Sequence, residues 1–146
     1  MGARTHLYPA TRYRLDAPPD FADRRTRARL SPAAVRTFFT LMTRWKVKDE
    51  DARLLLGGMT NGPYYELKRS GGDRVLDADR LTRVSYLIGI FKALRILHAP
   101  ALADEWVRLP NANPVFRGDT PLAFMIHGGL PAMQTVRRLL DARRAG

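Results

Sequence analysis

Residues 105–140 read EWVRLPNANPVFRGDTPLAFMIHGGLPAMQTVRRLL, and this stretch decides how the C-terminal part of the chain folds. It is dense in residues that fix a backbone and contains no catalytic constellation. Trp106 lies on an apolar stretch that Pro110 ends, because proline lacks the N–H that would continue a helix. The residues that follow favour turns, each for its own stereochemical reason: Asn111, Asn113, Pro114 and Gly118.

Two short helices are predicted after these turns. Thr120 and Pro121 match a helix N-cap followed by proline at the first helical position. The glycine pair Gly128-Gly129 predicts the end of this helix, and Pro131 predicts the start of the last one. The C-terminal part of the chain is therefore expected to be a small helical module.

The order of these residues, W, P-N, F-x-G, x-T-P and G-G before an apolar helix, resembles the toxin-binding domain of the Xre/MbcA/ParS antitoxin family. The resemblance covers roughly the last quarter of the chain, and the order is more specific than a lone glycine pair. An ordinary helical subdomain with the same turn chemistry is the alternative. The residues that we expect to shape the module are Trp106, Pro110, Gly118, Pro121, Gly128 and Gly129.

This resemblance implies a partner, a toxin with a RES domain that consumes NAD. Contacts with the toxin are expected from the surface between Asn111 and Arg117 and from the arginine-rich C-terminal tail. Arginines at a chain terminus could reach a pocket built for an anionic dinucleotide through charge-assisted hydrogen bonds. The alternative for the tail is a solvated basic helix face. The expected toxin-binding residues are Asn111, Phe116, Arg117, Arg137, Arg138, Arg143 and Arg144.

The middle of the chain predicts a helix-turn-helix. An acidic run at 49–51 suits the first turn of a helix. Leucines 54–56 are expected to bury that helix, and the glycine pair at 57–58 ends it. A further helix is predicted over 60–70, with Pro63 in its first turn. Two short helices joined by a glycine-containing turn are typical of this motif. The segment 54–60 resembles the first helix and turn of an Xre-type DNA-binding domain.

The second of these helices carries the predicted DNA contacts. Its first residues would face base edges, where asparagine reads adenine and threonine contacts a thymine methyl group. Residues a turn or more further along would reach phosphates. One of the two tyrosines is expected to pack against the preceding helix instead. A helix-turn-helix that only scaffolds a dimer is the alternative. The predicted contacts are Thr60, Asn61, Tyr64, Tyr65, Lys68 and Arg69.

Residues 1–30 show no sustained apolar period, so they are predicted to form a basic irregular arm. The arm ends in the run DRRTRAR, which could contact phosphates or a minor groove or could be a solvated tail. Ser31-Pro32 then predicts the start of an amphipathic helix. Residues 31–98 are assigned to the helix-turn-helix domain and 99–146 to the toxin-binding domain.

A fourth helix is predicted after Asp77, extending to Leu97 or His98. Its apolar arc is broader than a single packing face requires. We therefore expect a central helix that bridges the two halves, and a dimer contact is the alternative. No segment predicts a strand, so the fold class is all-α.

Composition limits the function. Lys and Arg number 25 against 14 Asp and Glu, giving a net charge of +11, which favours a polyanion such as nucleic acid. A GC-rich genome would explain the use of Arg in place of Lys but less easily the excess of basic residues. There is no cysteine, as in many proteins of the reducing cytoplasm, and no apolar run long enough to span a bilayer. We expect a cytoplasmic protein without a secretory leader.

Catalysis is not expected. His6, His98 and His127 lack metal-ligand spacing, and no nucleophile elbow, phosphate loop or dinucleotide fingerprint is present. We therefore predict no enzyme activity, no cofactor and no metal.

The sequence predicts an antitoxin of a type II toxin–antitoxin system. It would inhibit a RES-domain NAD-degrading toxin and autoregulate its operon by binding operator DNA, as a homodimer or a toxin-bridged oligomer. One alternative is a stand-alone helix-turn-helix regulator with a C-terminal oligomerisation domain. Another is a toxin-binding adaptor that has lost DNA contact.

Overall fold

The computed structural model describes residues 20–71 and 73–145, and within these ranges the chain is all-helical. The α-helices are α1 Arg24–Arg44, α2 Asp49–Leu55, α3 Asn61–Ser70, α4 Ala78–Leu97, α5 Pro100–Glu105 and α6 Pro121–Ala145. Two 3-10 turns, Trp106–Arg108 and Pro114–Phe116, lie between α5 and α6. No helix in the described ranges has both the length and the apolar character needed to cross a bilayer.

The first helix begins earlier than predicted. Asp23 caps α1, accepting hydrogen bonds from the Arg25 N–H at 3.3 Å and the Thr26 hydroxyl at 2.9 Å. The predicted start at Ser31-Pro32 is wrong, because the helix continues through Pro32. Residues 24–30 are therefore helical and do not belong to an irregular arm. The arm residues 1–19, which include His6, lie outside the described residues.

Ser31 has a structural role of its own inside α1. Its side chain is fully buried, and its hydroxyl donates to the Arg27 carbonyl at 2.6 Å. The same oxygen accepts a hydrogen bond from the Leu76 N–H at 2.9 Å. Because a buried N–H without a partner is costly, this serine ties the loop before α4 to the middle of α1.

The central helix is α4, as predicted. Asp77 caps it by accepting from the Arg80 N–H at 2.8 Å, and it ends at Leu97. It packs most extensively against α6 and α1, and also against α5. Its buried residues are Leu81, Val84, Leu87, Ile90, Ala93 and Leu94. The burial of an apolar arc on several sides explains its width, since each of these neighbours covers a different part of it.

The last two helical segments form the single element α6 with a kink. Thr120 caps it, accepting from the Ala123 N–H at 3.1 Å. At Gly129 the backbone is non-helical, with φ 67° and ψ −148°. This conformation is open almost only to glycine. The prediction that Gly128-Gly129 separates two helical segments is confirmed.

Candidate functional site

The turn between α2 and α3 is fixed by backbone hydrogen bonds and glycine geometry. Gly57 and Gly58 have φ values of 89° and 84°. The N–H groups of Gly58 and Met59 donate to the Arg53 carbonyl at 2.9 and 3.1 Å, and the Arg53 guanidinium donates to the Met59 carbonyl at 3.2 Å. A residue with a Cβ would be strained at these φ values. The turn therefore sets how α3 leaves α2.

Asp49 joins the first turn of α2 to α3. Its carboxylate accepts hydrogen bonds from the Tyr64 hydroxyl at 2.6 Å, from the Lys68 ammonium at 2.8 Å and from the Tyr65 hydroxyl at 3.4 Å. The Lys68 and Tyr64 hydrogen bonds lower the pKa of Asp49. Burial, followed by the bond to Asp49, raises the pKa of Tyr64. This carboxylate thus holds three residues of α3 that the sequence assigned to DNA contact.

Most of the predicted DNA contacts are exposed on α3, but Tyr64 is not. Thr60, Asn61, Tyr65, Lys68 and Arg69 are exposed. The assignment of Tyr64 as a DNA contact is wrong, because its side chain is 0% exposed and packs edge-on against Phe39 of α1 at 5.6 Å. Of the two tyrosines, Tyr64 is therefore the one that packs inward. Its ring lies against α1, and its hydroxyl donates to Asp49 of α2.

The exposed residues of α3 share a face. Asn61, Tyr65 and Lys68 are separated by four and three positions, which places them on one side of a helix. Arg69 forms an ion pair with Glu66.

Leu54 of α2 is 49% exposed, so its expected burial is wrong, whereas Leu55 and Leu56 are buried. The difference arises because successive helical residues point about 100° apart.

The segment 111–119 forms a closed loop. The Asn111 N–H donates to the Asp119 carbonyl at 3.3 Å, which brings the two ends of the loop together. Asn111 Oδ1 accepts from the Asn113 N–H at 2.9 Å, and Asn113 Oδ1 accepts from the Val115 N–H at 3.0 Å. These side chains act as turn formers by bonding to the backbone two residues on. The loop is therefore ordered by its own polar groups.

Phe116 anchors this loop to the rest of the module. Its ring packs edge-to-face between Trp106 at 6.3 Å and Phe124 at 5.2 Å, and only 2% of the residue is exposed. Phe116, which the sequence assigned to toxin contact, is almost fully buried, so it reaches the surface only at the wall of the adjoining cleft and mainly holds the loop in place. Its neighbour Val115 is 37% exposed, and Arg117 is also exposed.

Arg117 has a left-handed backbone, with φ 52° and ψ 38°. A non-glycine residue in this region is uncommon, and such strain is concentrated at functional positions. Gly118 follows with φ 84°, so the chain reverses direction here. The reversal presents the Arg117 side chain to solvent.

A cleft of about 580 Å³ lies beside this loop. Its walls come from the loop and from the end of the first segment of α6: Val115, Phe116, Arg117, Asp119, Phe124, His127 and Gly128. Sequence reasoning missed Asp119 and His127 as neighbours of Arg117, whereas Val115 lies within the surface between Asn111 and Arg117 that was expected to make contacts. The cleft combines an apolar wall with a cation, a carboxylate and an imidazole.

The tail arginines occupy a different part of the structure. Arg137 Nε donates to Asp141 at 3.1 Å, and its side chain is 33% exposed. Arg144 pairs with the same carboxylate at 3.7 Å, whereas Arg138 and Arg143 are exposed. The loop cleft contains none of these four arginines. The two sets of predicted toxin contacts are therefore not brought into one cavity.

The two halves of the molecule meet at Arg83 of α4. Its Nε bonds to Asp79 at 3.0 Å and would lie 3.2 Å from a Cβ at Gly57 in the α2–α3 turn. Its Nη1 would lie 3.7 Å from a Cβ at Gly129 in the α6 kink. Helices α2 and α6 are also in direct contact. One guanidinium thus lies beside both the α2–α3 turn and the α6 kink.

Within the part of the chain that the structure describes, no group of His, Asp and Glu side chains could hold a metal ion. The arrangement offers an exposed polar and basic helix face on α3 and a preorganised loop beside a cleft. These are features of a binding surface.

The fold and surfaces define an all-helical protein with two candidate binding regions. The chain is 37% identical over 116 residues to the uncharacterized protein y4oB of Sinorhizobium fredii (strain NBRC 101917 / NGR234). The match covers 79% of this chain and 87% of that protein, so the chain belongs to the y4oB family. No protein-family model matches the chain, and no solved structure matches it significantly.

Proposed function

We propose that this protein is the antitoxin of a type II toxin–antitoxin pair. It binds and inhibits a RES-domain NAD-degrading toxin through its C-terminal module and binds operator DNA through an Xre-like helix-turn-helix formed by α2 and α3. It acts by binding and not by catalysis, in the cytoplasm, as a homodimer or a toxin-bridged oligomer. Transcription of its own operon is repressed in the process.

The observation that carries the proposal is the closed 111–119 loop. Residues of the antitoxin-like motif shape it: Trp106 packs on Phe116, Gly118 permits the reversal, and Pro121 starts α6. They leave Val115 and Arg117 exposed at the mouth of a cleft, where a partner can reach both. A rigid loop loses little conformational entropy on binding, which favours affinity.

DNA binding is supported by α3 and by the net charge. Thr60 and Asn61 stand exposed at the N-terminal end of α3, where helix-turn-helix proteins read bases. The net charge of +11 favours association with a polyanion. The Lys68 ammonium donates a hydrogen bond to Asp49, so its side chain is already held in one position in the absence of DNA.

Co-expression with the protein encoded next to this chain tests the toxin partner. We expect the neighbour to arrest growth alone, and the pair to restore growth and co-purify. Arg117→Glu should weaken both effects, whereas Arg36→Glu, the same charge change on exposed α1, should not. An unrelated neighbour with no complex, while operator binding persists, would favour the stand-alone regulator.

Operator binding is tested on the DNA upstream of the gene by fluorescence anisotropy over a salt series. A DNA-binding protein loses affinity steeply as salt rises. Asn61→Ala or Arg69→Ala should cost about 1–3 kcal/mol if they contact a base or a phosphate. No change at either position would favour an adaptor without DNA contact.

A further inference from the structure

A groove runs along α4 between α1 and α6, away from the residues that the proposed function uses on α3 and on the 111–119 loop. It consists of two adjoining cavities of about 520 and 510 Å³, which share Phe21, Ser85 and Arg137. Their linings extend from Leu81 to Lys92 on α4. At 1.5 Å per residue this is a length of about 16 Å, or three helical turns.

Small residues create the groove. Ala33 and Ala34 of α1 face Gly89 of α4 across it, and Ile88 adds an apolar wall. A Cβ at Gly89 would collide with the Arg137 guanidinium, so the glycine lets that cation lie on α4. The second cavity is therefore largely apolar beside Arg137, whereas the first is lined mainly by polar residues, among them Thr82, Ser85 and Gln134.

The rim of the groove is cationic. Lys92, Arg137 and Arg138 line the two cavities, against the single carboxylate of Asp141. That carboxylate is already paired with Arg137 and Arg144. The groove therefore has positive charge in excess beside its apolar part.

Charge decides between the possible occupants. A second copy of this chain carries a net charge of +11, and residues 1–19 contain three arginines and one aspartate. Neither complements a cationic rim. A groove about three helical turns long, with an apolar part and a cationic rim, suits an amphipathic helix, a recurring mode of recognition.

We propose that this groove binds an amphipathic helix of a partner protein, with its apolar stripe on Ala33, Ala34 and Ile88 and its acidic flanks on Lys92, Arg137 and Arg138. The inference rests on the proposed function only for the identity of that partner, since Arg137 and Arg138 are among the expected toxin contacts.

The probes are three labelled model peptides of about 14 residues, or four turns. One has a Leu/Ala stripe flanked by Glu, the second replaces every Glu by Lys, and the third scrambles the acidic peptide. Fluorescence anisotropy measures their binding to the full chain. The acidic amphipathic peptide should bind at least about tenfold more tightly than either other peptide.

Protein variants locate the site. Ala33→Glu and Lys92→Glu should each weaken binding of the acidic peptide about tenfold. Ala28→Glu is the matched control, because Ala28 is exposed on α1 but lines neither cavity. Circular dichroism checks that each variant keeps its helical content, and Arg138→Glu is a second charge reversal should Ala33→Glu fail to fold.

Four outcomes would overturn the inference. They are equal binding of the scrambled peptide, an equal loss in Ala28→Glu, displacement of the acidic peptide by a synthetic peptide of residues 1–19, and conversion of a dimer to a monomer by Ala33→Glu. The peptide measurement needs no toxin. Failure of the growth assay with intact peptide binding would therefore count against the proposed function alone. Restored growth without peptide binding would count against the groove alone.

Discussion

The α2–α3 unit and the 111–119 loop are both held in one conformation, but by different forces. A single carboxylate, Asp49, fixes α3 through hydrogen bonds at the protein surface. The loop is fixed by the buried ring of Phe116 and by the turns that the Asn111 and Asn113 side chains form with the backbone. Polar links at a surface respond to pH and salt, whereas aromatic packing does not. The two regions should therefore fail under different perturbations.

The largest effect is expected from Phe116→Ala. Removing a fully packed ring from between Trp106 and Phe124 should lower the free energy of unfolding by about 3–5 kcal/mol. Urea unfolding measures this change. Val115→Ala, next to it and 37% exposed, is the control and should cost well under about 1 kcal/mol. Equal losses in the two variants would show that the ring does not anchor the loop.

A smaller effect is expected from Asp49→Ala. The buried Tyr64 hydroxyl would lose its acceptor, which should cost about 1–3 kcal/mol in the free energy of unfolding. Tyr64→Phe removes the donor, so in that background Asp49→Ala should cost less. A double-mutant cycle by urea unfolding gives the coupling energy. Strictly additive losses would contradict a link through this hydrogen bond.

The same carboxylate should make α3 sensitive to acid. Lys68 and Tyr64 hold the pKa of Asp49 below 3.8, its usual value. Stabilisation by ionised Asp49 is therefore full above 3.8 and is lost as the pH falls through the lower pKa of the folded state. Urea unfolding of the wild type and Asp49→Asn over a pH series should show a stability gap that closes in acid. A gap that does not change with pH would contradict this assignment.

The smallest effect on stability is expected from Arg117→Gly. Glycine adopts the observed φ of 52° without strain but gains freedom in the unfolded chain, so stability should stay within about 1 kcal/mol. Binding of the proposed partner should nevertheless fall, since the exposed guanidinium is lost. Arg117→Asn, which also tolerates this backbone, separates loss of charge from gain of flexibility. Unchanged co-purification of both variants would remove Arg117 from the interface.

Much of the fold could be predicted because its signals are local. Thr60, Asp77 and Thr120 mark helix starts within one turn of themselves, and the kink follows from the glycine at 129. The start of α1 could not be found in this way. Pro32 gives a local start signal, but the Asp23 cap and the buried hydrogen bond that the Leu76 N–H donates to Ser31 outweigh it.

The candidate sites depended more on distant contacts. Asp49 accepts from the hydroxyls of both Tyr64 and Tyr65, so it is packing on Phe39 of another helix that turns Tyr64 inward. Phe116 matched the antitoxin-like order, yet its interior position follows from Trp106 and Phe124 packing on both sides. A motif shows that a residue has a role. Whether that residue supports the surface from inside or is exposed on it depends on how it packs in the folded chain.

The position of Arg83 bears on how binding at the α2–α3 unit affects binding at the C-terminal module. Its guanidinium lies beside the turn at Gly57 and beside the kink at Gly129, so it is the side chain at which to test for coupling between the two regions. If operator occupancy alters the affinity for the partner by some factor, the partner must alter operator affinity by that same factor. Measuring this factor in the wild type and in Arg83→Lys would then show how much of the reciprocal coupling depends on one side chain.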